Sequence, residues 1–187
     1  MQTNQTNDIW TILVPEFVRN FFSDNGEDAG QYKEKSVAIL FCYVCNFDSI
    51  IEEEGRNVVR LLDNLYREFD KLCSSFAVQK IETVGYTYMA ATGIRKIETQ
   101  MENEMVKRNK VERLLGMAQQ MLEKTKMFKW GAKKNKDLDI KIGIHVGEVV
   151  VGVIGRHKKQ FSLIGTNVNA TSRHGSTGKL GSITLSR

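Results

Sequence analysis

The sequence predicts an α+β fold in which a mainly antiparallel sheet carries helices packed on one face. Three observations support this prediction. The apolar run SVAILFCYV at 36–44 is typical of a central strand. Segment 58–72 repeats apolar residues at helical spacing, with charged residues opposite. Residues 79–93 contain two strand-like pieces that meet at Gly85-Tyr86, which predicts a hairpin.

The rest of the chain extends this pattern. Apolar residues at helical spacing predict a second long helix over roughly 97–128, and glycine-punctuated segments 138–145 and 148–154 predict a second strand pair. A short strand, a glycine turn and a helix follow at 161–173, and SITLS at 182–186 predicts a last strand. The order strand, helix, strand, strand, helix, strand is a βαββαβ pattern with extra strands.

Length and composition predict one globular domain with an N-terminal extension. The 187 residues are 41% hydrophobic and 26% charged, which is near the globular average. Residues 9–22 form an amphipathic stretch around the single proline, Pro15, and a polar segment follows. We therefore expect an N-terminal amphipathic helix and linker at 1–35, ahead of the main domain at 36–187.

The charge pattern argues against a nucleic-acid partner. The net charge is +5, but the surplus is concentrated between Lys124 and Lys136, which is typical of a solvated helix end and loop. No run reaches about 18 apolar residues, so direct membrane insertion is not predicted. The polar start does not resemble a signal peptide, so we expect the cytosol or the cytosolic side of something larger.

The three cysteines are predicted to be buried structural thiols. Cys42 and Cys45 have the spacing of a redox or zinc pair, but they lie inside an apolar strand, and the third cysteine, Cys73, stands alone.

One stretch, FSLIGTNVNATSR at 161–173, groups polar side chains that suit an anionic ligand. Asn169 and Arg173 are four residues apart, so on a helix they project from one face. Ser162 precedes them on the predicted strand. Without further context, a helix cap for Asn169 and a surface salt bridge for Arg173 are the simpler interpretations.

The chain resembles the catalytic domain of the class III purine nucleotide cyclases, the adenylyl and guanylyl cyclases. The resemblance is carried by SVAILFCYVCNF, LLDNLYREFDKL, KIETVGYTYMAATG, KIGIHVGEVVVGVIG and FSLIGTNVNATSRHGSTG, which cover most of residues 36–185 in the family's order. It implies a ferredoxin-like βαββαβ core with extra strands, here truncated before the family's last strands.

The resemblance also implies a shared active site. In this family two homologous domains pack head to tail, and the nucleotide binds in the cleft between them. The 3′-hydroxyl attacks the α-phosphorus, pyrophosphate leaves, and two Mg or Mn ions held by two aspartates assist. Those two positions are Tyr43 and Tyr86 here. A phenol is neutral near pH 7 and a poor ligand for a hard cation, so we expect a partner domain to hold both ions.

The family's other functional positions carry suitable residues. By resemblance, Asn169 orients the ribose and Arg173 stabilises charge on the phosphates. Glu82 and Ser162 occupy the two positions that select the purine. A carboxylate can accept from guanine N1–H and its amine, and a hydroxyl can donate to O6, so this pair fits guanine. Phe41, Val84 and Leu163 are expected to line the apolar walls of that pocket.

Three interpretations follow. The chain is expected to be the metal-free half of a two-domain guanylyl cyclase that converts GTP to cyclic GMP and pyrophosphate, inactive without its complementary domain. The combination resembles the protist membrane guanylyl cyclases, which implies a place on the cytoplasmic side of a membrane within a larger protein. The alternatives are a catalytically silent pseudo-cyclase that regulates or assembles with a partner, and an adenylyl cyclase half with an unusual base pocket.

Overall fold

The structure is a computed structural model that describes residues 31–155 and 160–186. The predicted N-terminal helix and the linker up to residue 30 lie outside the described residues, and residues 31–35, which were expected to belong to the linker, form the start of the first strand.

A six-stranded sheet forms the centre of the described region. Its strands are β1 Gln31–Val44, β2 Gln79–Val84, β3 Thr87–Thr92, β6 Ile140–Ile154, β7 Gln160–Ile164 and β8 Ile183–Leu185. The order is β2-β3-β1-β6-β7, and β8 pairs with β6. All pairings are antiparallel except that of β8, which is parallel. The predicted hairpin is confirmed, and Gly85 takes the left-handed conformation at its turn, with φ of 56°.

Helices connect these strands, together with a small separate hairpin. They are α1 Phe47–Glu54, α2 Asn57–Phe76, α3 Arg95–Glu98, a 3₁₀ turn Glu104–Lys107, α4 Lys110–Thr125 and α5 Thr166–Thr177. The hairpin consists of β4 Lys129–Trp130 and β5 Lys136–Asp137. It occupies much of the lysine-rich segment that was predicted to be a loop.

The core lies on both faces of the sheet. Along β1, Leu40 and Cys42 point into a large cluster with α2 and α4, whereas Val37 and Ile39 point into a second cluster with β7. The two helices of the βαββαβ core therefore cover one face, which confirms the predicted fold class. Helix α5 packs on β6 and β1, and its Val168 contacts the second cluster, on the opposite face.

The prediction of one long helix over 97–128 is wrong. The segment is divided into α3, the 3₁₀ turn and α4, and two asparagines explain the breaks. The side chain of Asn103 accepts from the Met105 amide at 2.9 Å, and that of Asn109 accepts from the Val111 amide at 2.8 Å. Each asparagine thus caps the start of a new turn, although the apolar spacing continues across it.

The prediction of two strands over 138–154 is also wrong, because β6 is continuous. Gly147 was interpreted as a break, but its lack of a side chain serves packing. A Cβ on Gly147 would lie 2.3 Å from Cγ of Asn167 on α5. The glycine therefore admits a side chain from the neighbouring helix without ending the strand.

The cysteine prediction is confirmed: Cys42, Cys45 and Cys73 are all buried, free thiols. Burial raises the pKa of Cys73 to about 12. Within the described residues, no helix has both the length and the apolar character that a membrane span requires.

Candidate functional site

An aromatic cluster occupies the end of β1 and the turn of the hairpin. It consists of Phe41, Tyr43, Phe47 and Tyr86, and we call it the tyrosine cluster. The rings of Tyr43 and Phe41 stack with centroids 6.2 Å apart, and Tyr43 lies 6.3 Å from Tyr86. Tyr86 in turn lies 4.9 Å from Phe47. The two positions of the expected metal aspartates are therefore neighbours in space and hold packed rings.

The hydroxyl of Tyr43 is committed to a protein contact. It lies 2.6 Å from Oγ of Ser172 and donates to the Ser172 carbonyl oxygen at 3.2 Å. Burial raises the pKa of Tyr43, partly offset by the Ser172 bond, so the phenol stays neutral. The described residues include no group of three or more His, Cys, Asp or Glu side chains that could hold a metal ion. The donors at this end do not fit a divalent cation.

Helix α5 begins at a glycine turn and is attached to β6 at its first residues. The side-chain amide of Asn167 donates to the Glu148 carbonyl oxygen at 2.8 Å, and its oxygen lies 2.9 Å from Nε2 of His145. The other ring nitrogen of His145 is hydrogen-bonded to the hydroxyl of Ser186, which follows β8. His145, which the sequence placed only within a predicted strand, thus helps to hold α5 against the sheet.

Asn169 and Arg173 point away from this attachment. Both are exposed, and they lie one turn apart on α5, whereas Thr171 between them is buried. Neither side chain has a hydrogen bond or ion pair within residues 31–155 and 160–186. An amide and a guanidinium on one exposed face, without protein partners, can bind an anionic ligand. The surface salt bridge considered for Arg173 is not made within that region.

Glu82 and the β7 strand meet where the two outer strands of the sheet, β2 and β7, come into contact. The side-chain amide of Gln160 donates to the Glu82 carboxylate at 2.5 Å. Gln160 and Ser162 are two residues apart on β7, so their side chains share a face. Glu82 and Ser162 are thereby brought to the same region, although they are distant in sequence.

Gln160 was missed by the sequence analysis. It lies two residues before the predicted Ser162, and its period-2 spacing on the strand was the available signal. The contact with Glu82 forms because the outer strands β2 and β7 approach each other, and a short stretch of sequence does not predict this approach.

The apolar residues predicted near the base differ in exposure. Leu163 is buried in the second cluster, and Phe41 packs against that cluster. Val84, at the end of β2, is 64% exposed. Their role as pocket walls stays a prediction.

The fold and these positions define a nucleotide cyclase catalytic domain. Residues 30–187 match the adenylate and guanylate cyclase catalytic domain family. The chain belongs to this family, as the resemblance implied.

Similar proteins include an animal receptor and a protist guanylate cyclase. The chain is 36% identical to atrial natriuretic peptide receptor 2 of Anguilla japonica, over 81% of this chain and 14% of the receptor. It is 33% identical to guanylate cyclase beta of Plasmodium falciparum, over 82% of this chain and 5% of that protein. The chain thus spans a small part, 14% and 5%, of these curated relatives.

Solved structures agree with the fold. The guanylate cyclase domain of RhGC from Catenaria anguillulae, in complex with GTP, is 29% identical with a TM-score of 0.71. The match covers 83% of this chain and 80% of that domain. The catalytic core of a rhodopsin-guanylyl cyclase with converted specificity, in complex with ATPαS, is 28% identical, with a TM-score of 0.72 and coverage of 83% and 79%.

Proposed function

We propose that this chain is the metal-free half of a guanylyl cyclase site. It supplies the groups that recognise guanine and stabilise the transition state, and a complementary cyclase domain in a head-to-tail pair supplies both metal-binding aspartates. The pair converts GTP to cyclic GMP and pyrophosphate. Alone, this chain is inactive.

One observation carries the proposal: the two ends of the site differ in what their side chains contact. Tyr43 is packed and hydrogen-bonded to Ser172. Asn169 and Arg173 are exposed and have no polar partner within the described part of the chain. Two copies of this chain would lack carboxylates at both tyrosine positions, so a homodimer would not complete the site.

The base-recognition part of the proposal rests on Glu82 and Ser162. The Glu82 carboxylate accepts from Gln160, which orients it, and it retains lone pairs for the two donors of guanine. Adenine presents an acceptor at N1, which a carboxylate would repel. The GTP complex of the similar RhGC domain supports GTP as the substrate.

The proposal extends to the parent protein. The receptor and protist relatives are many times longer than this chain, which supports a cyclase domain at 36–187 that belongs to a larger, membrane-associated protein. We place the domain on the cytoplasmic side, preceded by the predicted N-terminal amphipathic helix and linker. The two Mg or Mn ions belong to the partner domain.

Complementation tests the half-site. The probe is a guanylyl cyclase domain of the same family that carries both aspartates but has its own transition-state asparagine and arginine replaced by alanine. Each protein alone with GTP and Mn²⁺ should form no cyclic GMP, whereas the mixture should form it. Size-exclusion chromatography establishes that the two chains associate. Activity of this chain alone, or an associated but inactive mixture, would contradict the proposal.

Base selection separates the remaining interpretations. In the associated pair, Glu82→Ala should lower the preference for GTP over ATP by about 10- to 100-fold, because two hydrogen bonds to guanine are lost. Glu104→Gln is a matched control, since Glu104 is exposed and, within residues 31–155 and 160–186, pairs only with Lys107. Nucleotide binding unaffected by Glu82→Ala would favour the pseudo-cyclase, and preference for ATP in the unaltered pair would favour the adenylyl cyclase half.

A further inference from the structure

Tyr43 does more than fill the place of an absent carboxylate. Its hydroxyl contacts two polar atoms of Ser172 on α5, the side-chain hydroxyl oxygen at 2.6 Å and the carbonyl oxygen at 3.2 Å. The geometry allows the phenol to donate to the carbonyl while it accepts from the serine hydroxyl. A strand residue thus holds a helix through two hydrogen bonds between positions 129 residues apart.

The backbone of α5 is shaped to receive the ring. A Cβ on Gly175 would lie 2.7 Å from Cε2 of Tyr43 and 3.2 Å from the Gly143 amide nitrogen. A Cβ on Gly143 would lie 2.2 Å from the Gly175 amide nitrogen. Only glycines therefore allow α5 to approach the sheet this closely and leave room for the tyrosine.

This contact fixes the rotation of α5 about its axis. At about 100° per residue, Ser172 and Gly175 lie on the side that faces the sheet, and Asn169 and Arg173 lie about 40° apart on another side. A rotation of roughly 20° would move groups at the helix rim, about 6 Å from the axis, by about 2 Å. Misplacement by about 1 Å can lower turnover about 100-fold.

We infer that Tyr43 is a positioning residue: through Ser172 and Gly175 it sets the orientation of the helix that presents Asn169 and Arg173 to the nucleotide. The position that holds a metal ligand elsewhere in the family serves here as an anchor for the transition-state helix. The effect on turnover rests on the proposed function, but the anchor itself does not.

Tyr86 provides a matched control. It occupies the other metal position and belongs to the same cluster, but it is 42% exposed and packs on Phe47. Within the described residues its hydroxyl makes no hydrogen bond, and so none to α5. Tyr86→Phe therefore removes the same atom as Tyr43→Phe without touching the helix.

Hydrogen exchange on the full chain tests the anchor. Tyr43→Phe should speed exchange of the amides of α5, Thr166–Thr177, by about fivefold or more, since two hydrogen bonds are lost. Exchange in α2 should be unchanged, and Tyr86→Phe should leave α5 as in the unaltered chain. Unchanged α5 exchange in Tyr43→Phe, or an equal increase in every element, would overturn the inference.

Turnover in the complemented pair tests the positioning role. Tyr43→Phe should lower kcat by about tenfold or more and leave the KM for GTP nearly unchanged, and the loss should exceed that of Tyr86→Phe, which leaves the contact with α5 intact. Faster α5 exchange with unchanged kcat would show an anchor without a positioning role and overturn the inference. If the unaltered chain supports no turnover in the pair, the proposed function is rejected. The anchor is judged separately by hydrogen exchange, and it is rejected only if Tyr43→Phe leaves the exchange of the α5 amides unchanged.

Discussion

The two ends of the site differ in how complete they are without a ligand. In the tyrosine cluster the rings pack on one another and the Tyr43 hydroxyl has two protein partners. On the exposed side of α5, the side chains of Asn169 and Arg173 have no hydrogen-bond or ion-pair partner in the described region. The tyrosine cluster is therefore completed by protein contacts, whereas the exposed side of α5 faces solvent and can meet a ligand; we call them the finished end and the incomplete end. Under the proposed function, this difference means that the domain divides structural support and chemistry between its two ends.

The largest expected effect follows from removing a group on the incomplete end. Arg173→Ala should lower turnover of the complemented pair by about 10²- to 10³-fold, because a fixed positive charge is lost where negative charge develops. Binding of a GTP analogue should weaken much less, and the fold should not change because the side chain is exposed. Steady-state kinetics and analogue titration measure the two effects.

Arg67→Ala is the matched control for Arg173. Arg67 is also an exposed helical arginine, but it lies on α2 and pairs with Asp63 at 2.9 Å. Its loss should alter turnover less than twofold, since exposed ion pairs contribute little. Equal turnover in Arg173→Ala and Arg67→Ala would remove the distinction between the two ends.

The second effect tests how tightly the finished end is packed. Gly175→Ala should lower the free energy of unfolding by about 1–3 kcal/mol, because the new methyl group meets the Tyr43 ring. In a Tyr43→Ala background the same change should cost less, because the contact with the ring is gone and only the close approach to the Gly143 amide nitrogen, at 3.2 Å, remains. Urea denaturation of the four chains gives the coupling free energy.

Ser176→Ala controls for helix propensity in this cycle. Ser176 is exposed on α5, and in the described part of the chain its hydroxyl donates only to the Arg173 carbonyl oxygen. Its effect on stability should be the same with and without the tyrosine ring. If the effect of Gly175→Ala were also independent of Tyr43, the close packing of ring and helix would be contradicted.

The sequence predicted correctly those elements that are determined by residues close together in the chain. The continuous apolar run of β1, the apolar stripe of α2 and the glycine at the hairpin turn each have one strong cause, and each prediction was confirmed. The long helix failed because Asn103 and Asn109 form local caps that compete with an uninterrupted apolar spacing. Gly147 failed as a strand break because its role depends on Asn167, which comes from another element.

The site residues show the same distinction between what a local pattern predicts and what depends on contacts between distant elements. Resemblance supplied the identities of Glu82, Ser162, Asn169 and Arg173, and the chemistry of a phenol argued against a metal at Tyr43. The partner of Tyr43 lies 129 residues away, and that of Glu82 lies 78 residues away. These contacts arise from the packing of α5 on the sheet and from the meeting of β2 with β7, and neither has a signature in a short window of sequence.

The smallest expected effect is a pH dependence of the stability that Tyr43 contributes at the finished end. Burial raises the pKa of Tyr43, with smaller contributions from Tyr86 and Cys42, while the Ser172 bond lowers it. The folded state therefore favours the protonated phenol. The resulting stability is fully present below the unfolded pKa of about 10 and is lost as pH rises above it toward the higher folded value.

Tyr43→Phe has no phenol at this position, so it does not lose this part of its stability at high pH, whereas the unaltered chain does. The difference in unfolding free energy between the two chains should therefore become smaller between pH 8 and pH 11, by less than about 1 kcal/mol. Buried tyrosines elsewhere are common to both chains and cancel in the difference. Ser172→Ala loses the hydrogen bond but keeps the phenol. Its difference in unfolding free energy from the unaltered chain should therefore not become smaller as the pH rises. A Tyr43→Phe deficit that stays constant through pH 11 would mean that the phenol is as free to ionise as an exposed one. The tyrosine cluster would then be no more complete than the exposed side of α5.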